Sequence, residues 1–388
     1  MKDYTAEAYQ EAIKLLKENS NVFGILASAP SATANKRNYL SIFGRDASIC
    51  SMGMVLSGDK KLLLSARRSL ESLAKYQAPN GQIAFFVKPE KKYADFYYLG
   101  CIDSTLWWLI AMKFYDQNTR GNLSKKFKPQ IDKAINWLQC QEHQNFYLIQ
   151  QNEASDWADL MPRSGFVLYS NALWYWVKKL YKLKNIDKTK DFFGYIFDPN
   201  IKISSDVIKK NTHLQTLKSF TKKDKNNPSY LSFVNYSYAG YETDVFANIL
   251  TCLVGLADEK KTEKIIKYFI KQKANEPCPI KTVLQPIKQK DELWKKYMER
   301  HNVINKPHQY HNGAIWPFIG GFWVILLSMS NPELAKKELT RLAQLNKQDK
   351  WQFKEWFDGK NGKPKGMSRQ SWNAALYLWA YHSLNNSI

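Results

Sequence analysis

The chain has 388 residues, 44% of them apolar and 14% aromatic, with 57 Lys and Arg against 35 Asp and Glu for a formal net charge of +22. That composition describes a globular protein able to bury a large core, and at about 100–200 residues per domain the length allows either two domains or one long one. The basic residues are dispersed in stretches such as KKFKPQIDKAINW and KKTEKIIKYFIKQK with acids interleaved, which reads as a solvated surface rather than a groove for nucleic acid.

The first element, about residues 5–18 of MKDYTAEAYQEAIKLLKENS, is an amphipathic helix. It carries no signal-peptide apolar region. FGRDASI then introduces an apolar helix at about 46–57, followed by an amphipathic one at about 60–76. QIAFFVKP, at 82–89, is the best strand candidate. The pattern repeats. Apolar helices are expected at about 103–115, 168–180, 243–256, 314–329 and 369–383, and lysine-rich amphipathic ones at about 127–141, 259–272 and 332–346. The partner between 186 and 230 is the least clear, and 202–230 reads as a long polar loop. Helices apolar on all sides are buried on all sides, whereas those with one apolar stripe face outward. Six buried helices alternating with about six exposed ones fit an all-α (α/α)6 barrel. An α-solenoid would need a fixed repeat period, and these segments are not self-similar. No Gly-, Pro- or Ser-rich linker divides the chain, so residues 1–388 are read as one domain.

The five cysteines, Cys50, Cys101, Cys140, Cys252 and Cys278, are odd in number and lack any C-x-x-C pair, which fits buried thiols in a reducing compartment. No apolar run approaches the ~20 residues of a membrane span. A soluble cytoplasmic protein is expected.

Polar residues interrupt the pattern at one end of successive apolar helices. Arg45 and Asp46 precede the first, Asp103 the second, and Asp156, Trp157, Asp159 and Arg163 the third. Glu242 and Asp244 precede the fourth, His308, His311, Asn312 and Trp316 the fifth, and Glu355, Asp358, Arg369 and Gln370 the sixth. In a barrel of alternating hairpins these ends share one mouth. Acids and amides hydrogen-bond hydroxyls and indoles stack on sugar faces, so the pit suits carbohydrate. Taken singly, each residue has a plain structural reading. Asp46, Asp103 and Asp244 stand where helix caps belong, Arg45 and Asp46 form an ion pair, and Trp107 and Trp108 are core. His308 and His311 have no third companion for a metal. Convergence favours function for the group.

FGRDASI, IDSTLWW, DWADLMPRSGFVLYSNALWY, YHNGAIWPF and FKEWFDGKNGKPKGMSRQSW resemble, in order, segments of two related groups of (α/α)6-barrel glycoside hydrolases. One is the amylo-α-1,6-glucosidase domain of glycogen debranching enzymes; the other is the alkaline/neutral invertases. The resemblance covers about residues 25–383. MPRSGFVLYSNALWY and WPFIGGFW lean toward the debranching group, while YHNG and EWFDG are common ground. The debranching group carries an added N-terminal β-rich domain, whereas here the barrel pattern starts at once. Arg163-Ser164-Gly165-Phe166-Val167 also lacks that group's Lys-Pro and acidic residues. A short oligosaccharide or disaccharide is therefore expected as readily as a branched glucan.

The resemblance implies inversion by two carboxyl groups, Asp103 as general acid and Glu355 as general base. Asp159 and Asp156 are the rivals for the acid. Around Asp103, Ile102, Leu106, Trp107 and Trp108 disfavour the charged form, while the helix N-terminus favours it; a net raised pKa is expected. Glu355 lies in the polar run KEWFDGKNGK, where it should stay ionised. Arg45 and Asp46 are expected to grip the sugar hydroxyls, with Trp107, Trp157, Asp159, His311, Trp316 and Gln370 lining the same subsite. No metal or organic cofactor is expected. Three functions compete: an α-glucosidase of short oligosaccharides, an invertase-like β-fructofuranosidase acting on sucrose, and a non-catalytic carbohydrate-binding barrel.

Overall fold

A computed structural model describes residues 3–96, 101–302 and 305–385. Gly100 of GCIDSTLWW lies outside them. Twelve helices of nine or more residues occur among the described residues: α1 Thr5–Glu18, α2 Gly44–Leu56, α3 Lys60–Lys75, α4 Ile102–Asn118, α5 Lys128–Gln139, α6 Leu168–Tyr181, α7 Ile186–Phe197, α8 Val245–Leu253, α9 Glu259–Lys271, α10 Pro317–Ser328, α11 Pro332–Trp351 and α12 Ser371–Asn385. Even-numbered helices are the apolar ones and odd-numbered helices the amphipathic ones. The uncertain partner is α7, and the expected loop after it holds two short helices, Ser205–Lys209 and Thr212–Ser219.

The helices gather into two compact units. One comprises Met1–Trp137, Glu276–Lys281 and Ala314–Ile388; the other comprises Leu138–Asn275 and Thr282–Gly313. In the first, α2 packs between α4 and α12, with α10 also on α12. The amphipathic helices α1, α3 and α11 lie against these. In the second, α6 packs on α7 and α8. Local sequence explains the starts. Asp59, Asp258 and Asn331 each accept a backbone N–H of the first turn of α3, α9 and α11, and Pro332 opens α11 at a position where no N–H is needed. Asp244 caps α8 in the same way. Asp46 and Asp103 do not cap. They lie inside the first turns of α2 and α4, whose cap positions are held by Phe43 and Cys101. The cap slot of α2 goes to an aromatic because strand β1 (Ile42–Phe43) runs straight into the helix.

Strands are short. β1 pairs with β2 (Phe86–Lys88), and β2 with β3 (Tyr93–Asp95). β4 (Gln150–Gln151) pairs with β5 (Gly165–Val167), and β5 with β6 (Phe233–Val234). β7 (Trp356–Phe357) and β8 (Pro364–Lys365) form a hairpin. Every residue from Ile102 to Met112 of α4 is buried, and the Trp108 indole donates to the Leu70 carbonyl of α3 at 3.1 Å. Cys50, Cys101 and Cys252 are buried, whereas Cys140 is exposed and Cys278 partly so, against the expectation of buried thiols. No helix among the described residues is long and apolar enough to cross a membrane.

Close packing of the apolar helices in the first unit uses glycine. A Cβ on Gly53 of α2 would stand 2.0 Å from the Ala375 carbonyl oxygen of α12. Alanine is the better helix former by about 1 kcal/mol, yet Gly53→Ala must push α2 and α12 apart at a net cost of about 1–3 kcal/mol. A urea or thermal midpoint equal to or above wild type would contradict this packing.

Candidate active site

In the first unit, the starts of α2, α4 and α12 meet. Arg45 donates through Nε to Asp46 Oδ1 and through Nη1 to Asp103 Oδ2, both at 3.1 Å. Its guanidinium lies 5.8 Å from the ring centre of Trp372, in the first turn of α12. Trp372 stacks on Phe318 at 4.1 Å and meets Trp316 edge-on at 5.6 Å. Asp103 is 1% exposed and Asp46 6%. Burial pushes the Asp46 carboxyl up, and Arg45 opposes the shift.

Glu355 precedes β7. The Tyr39 hydroxyl donates to its Oε1 at 2.6 Å, and the Met367 backbone N–H donates to its Oε2 at 2.8 Å. Tyr39 is held by an aromatic cluster with Phe43, Phe85 and Phe86 around β1 and β2. Gly366, at φ +69°, lets the chain pass so close that a Cβ would sit 2.3 Å from Glu355 Oε2. The polar run around Glu355 does not expose it. The residue is 3% exposed, and burial raises its pKa against the pull of the Tyr39 hydroxyl, the Met367 N–H and Arg37, with the Asp46 charge adding to the rise. Solvation therefore does not keep this carboxylate ionised; two hydrogen-bond donors favour that form instead. Asp46, Asp103 and Glu355 are all buried, and one guanidinium answers the first two.

The other expected residues of this unit divide. Trp316 and Gln370 stand at the starts of α10 and α12. Trp107, expected at the sugar, is 0% exposed and packs on Phe322, well inside α10. Asp358 shapes the β7–β8 turn by accepting the Lys360 and Asn361 N–H groups.

In the second unit, Trp157 packs edge-on against His311 at 5.0 Å and Phe246 at 5.7 Å. Asp159 Oδ1 lies 3.8 Å from His311 Nδ1, and its side chain is 29% exposed. Asp156 is held by the Ala158 N–H at 2.8 Å and the Gln151 amide at 2.9 Å, the pattern of a turn residue. Arg163, 2% exposed, pairs with Glu242 at 3.2 Å and with Asp244. Burial pushes Asp244 up to about 6 although Arg163 and its capping bond oppose this. Asn312 of YHNG is a loop staple: its amide bonds Ile287 and Asn305 main-chain groups at 2.7–2.9 Å.

Sequence reasoning missed Tyr39 and Trp372. Trp372 closes the quoted motif GMSRQSW and could have been picked out as a seventh polar-ended aromatic. Tyr39 had no local signal, since its partner lies 316 residues away.

Comparison with known proteins places this arrangement in a class. The fold matches the GH63 mannosylglycerate hydrolase of Thermus thermophilus, solved with Tris and D-glycerate, at a TM-score of 0.64 over 96% of this chain and 99% of that one, with 12% identity. A bacterial glucoamylase complexed with acarbose matches at 0.63 over 99% of this chain and 56% of that one, with 13% identity. The fold is thus the (α/α)6 barrel of glycosidase type. Residues 148–387 match the family of alkaline and neutral invertases, and the chain belongs to that family. Among relatives in Arabidopsis thaliana, the probable alkaline/neutral invertase A, chloroplastic, is 36% identical over 86 residues, 21% of this chain and 13% of that protein. The alkaline/neutral invertase C, mitochondrial, is 31% identical over 142 residues, 34% of this chain and 20% of that protein. These alignments span a fifth or less of the relatives' length. Of the two groups that the motifs resemble, the family match falls on the invertases.

Tyr39→Phe removes the phenol that favours the ionised Glu355, so the carboxyl's pKa rises further. If Glu355 is a general base, it works only when ionised, and activity falls as pH drops through that raised value. In Tyr39→Phe the acidic limb of the kcat/KM profile should move to higher pH while the plateau above it keeps most of its height. An unmoved limb would show that Glu355 is not the group that titrates there.

Proposed function

We propose that this protein is a glycoside hydrolase of short α-glucosides, with sucrose as the leading substrate, acting by inversion. Membership of the invertase family supports sucrose. Sucrose is an α-glucoside and a β-fructoside at once, so the glucosidase and invertase readings meet in one molecule.

The observation that carries the reading is a pair of buried carboxyl groups in one unit with different partners. Asp103 shares the Arg45 guanidinium with Asp46. Asp103, the more deeply buried of the two, acts as the general acid and delivers a proton to the glycosidic oxygen. Each oxygen of Glu355 accepts from a fixed donor, which suits an ionised base with a raised pKa. Such a base takes a proton from water more readily than an ordinary carboxylate does. Water then attacks the anomeric carbon from the face opposite the leaving group. Arg45 and Asp46 hold hydroxyls of the same sugar, with Trp316 and Gln370 beside them. The Trp157, Asp159 and His311 cluster is proposed to contact sugar as well. We also propose that the barrel is one catalytic domain and that it works in the cytoplasm, in keeping with five cysteines that include no C-x-x-C pair.

Asp103→Asn and Glu355→Gln should each lower kcat by about 10²–10⁴-fold while sugar binding persists. If Asp103→Asn keeps near wild-type turnover and Asp159→Asn does not, the acid is misassigned. Hydrolysis of sucrose in H2¹⁸O should place the label on glucose, released first as the β-anomer. Label on fructose would make the enzyme a β-fructofuranosidase, and α-glucose formed first would exclude inversion. Maltose, isomaltose, trehalose and panose run beside sucrose will show whether other short glucosides are cleaved. Binding of sugars with no cleavage of any glycoside would leave a non-catalytic barrel.

A further inference from the structure

The peptide unit that leads into Glu355 is gripped at both ends. Its N–H, that of Glu355, donates to the Met367 carbonyl at 2.7 Å. Its carbonyl, that of Lys354, accepts from the Asn373 side-chain amide at 2.8 Å. Asn373 lies in the first turn of α12 and is 1% exposed. Its amide oxygen accepts the Phe318 backbone N–H of α10 at 3.0 Å.

A carboxamide suits this place because it donates and accepts at once. The acceptor serves α10. The first N–H groups of a helix have no partner within it, and the cap residue Trp316 supplies no side-chain oxygen. The donor serves the Lys354 carbonyl. One side chain therefore ties the entry to Glu355 to the starts of two apolar helices. Asn373 also follows Trp372, whose ring lies against the Arg45 guanidinium, so the grip sets Glu355 relative to the helix that meets Arg45. From the fixed peptide the carboxylate reaches the Tyr39 hydroxyl at 2.6 Å and the Met367 N–H at 2.8 Å.

We infer that Asn373 is a positioning residue for Glu355: its carboxamide fixes the peptide that delivers the carboxylate to the Tyr39 hydroxyl and the Met367 N–H. The catalytic consequence rests on the hydrolase reading. A tilt of that peptide is carried along the side chain and spoils both bonds to the carboxylate, which weaken steeply as their angles close. The partners of Asn373 are main-chain groups, so it acts on the chemistry through Glu355 and not by contact with a sugar.

The test reads Glu355 directly. Its carboxyl is titrated by ¹³C NMR in protein labelled at the glutamate side-chain carboxyls, with the signal assigned from Glu355→Gln. Wild type, Asn373→Leu and Asn373→Ser are compared, with urea midpoints and the kcat/KM profile on sucrose measured in parallel. Leucine is close to asparagine in size and removes both bonds; serine ends one bond short of them and serves if Asn373→Leu does not fold. Tyr39, Arg37 and Asp46, the groups that act on the Glu355 charge, are unaltered in both. Glu355 should titrate about one pH unit higher in each variant, the shift expected when an ionised group loses most of one hydrogen bond. The acidic limb should move up with it, and kcat above the limb should fall about tenfold or more with KM little changed. A lowered midpoint with an unmoved Glu355 titration would make Asn373 a structural staple only and overturn the inference, as would a titration moved to lower pH. If the titration moves while the limb does not, the positioning stands and Glu355 is not the base. If the titration moves but wild type cleaves no glycoside, the hydrolase reading fails and the positioning stands. If sucrose is cleaved and the titration is unmoved, the positioning fails and the hydrolase reading stands.

Discussion

The first unit is organised around one guanidinium. Arg45 directs two of its five N–H donors to Asp46 and Asp103, and its face lies on Trp372. These contacts join the first turns of three apolar helices, α2, α4 and α12. The constraint is strict because all of the groups are sheltered from water. Arg45 is 11% exposed and Asp103 1%. Removing one partner from such a set leaves a buried charge uncompensated, which costs more than the intact pair contributes. Arginine meets the requirement and lysine would not, since only a rigid planar fork can serve two carboxylates from neighbouring helices in fixed directions.

The same scarcity of positive charge shapes the chemistry. Burial raises the pKa of both Asp46 and Glu355, against Arg45 at the first and Arg37 with two hydrogen-bond donors at the second. The local sequence around each acid suggests that Asp103 is protonated by its apolar neighbours and Glu355 is ionised by its polar ones. The structure replaces that contrast with another. Both are buried, and what separates them is the identity of their donors: a shared cation for Asp103, and a phenol with a backbone N–H for Glu355. The phenol arrives through the aromatic packing of β1 and β2, so a small sheet at the edge of a helical unit helps to set the protonation of Glu355.

Several residues in the most recognisable motifs do architectural work. Asn312 in YHNG closes a loop through four hydrogen bonds. Asp358 in EWFDG turns a hairpin, and Asp156 in DWAD turns the segment before Asp159. A loop that must present a side chain to a ligand has its own unpaired backbone groups to satisfy, and short polar side chains do this locally. The motifs therefore combine one or two candidate site residues with the residues that shape the loop holding them.

The alternation of apolar and amphipathic helices was legible from the sequence, and so was the placement of the acids at one end of the apolar ones. Helical periodicity reports burial directly: α4 reads as apolar on every side and is buried from Ile102 to Met112, while α3 and α9 read as striped and are capped by the aspartates that precede them. The one missing partner, α7, was obscured by the lysine-rich stretch beside it. What tertiary structure alone decided is which groups meet. Tyr39 reaches Glu355 across 316 residues of chain, Arg45 chooses Asp103 as well as its neighbour Asp46, and Trp107 meets Phe322 of α10. Periodicity is a property of neighbouring residues, so sequence carries it. Hydrogen bonds and charge pairs between distant segments depend on positions a few ångströms apart in space, and those exist only once the chain has folded.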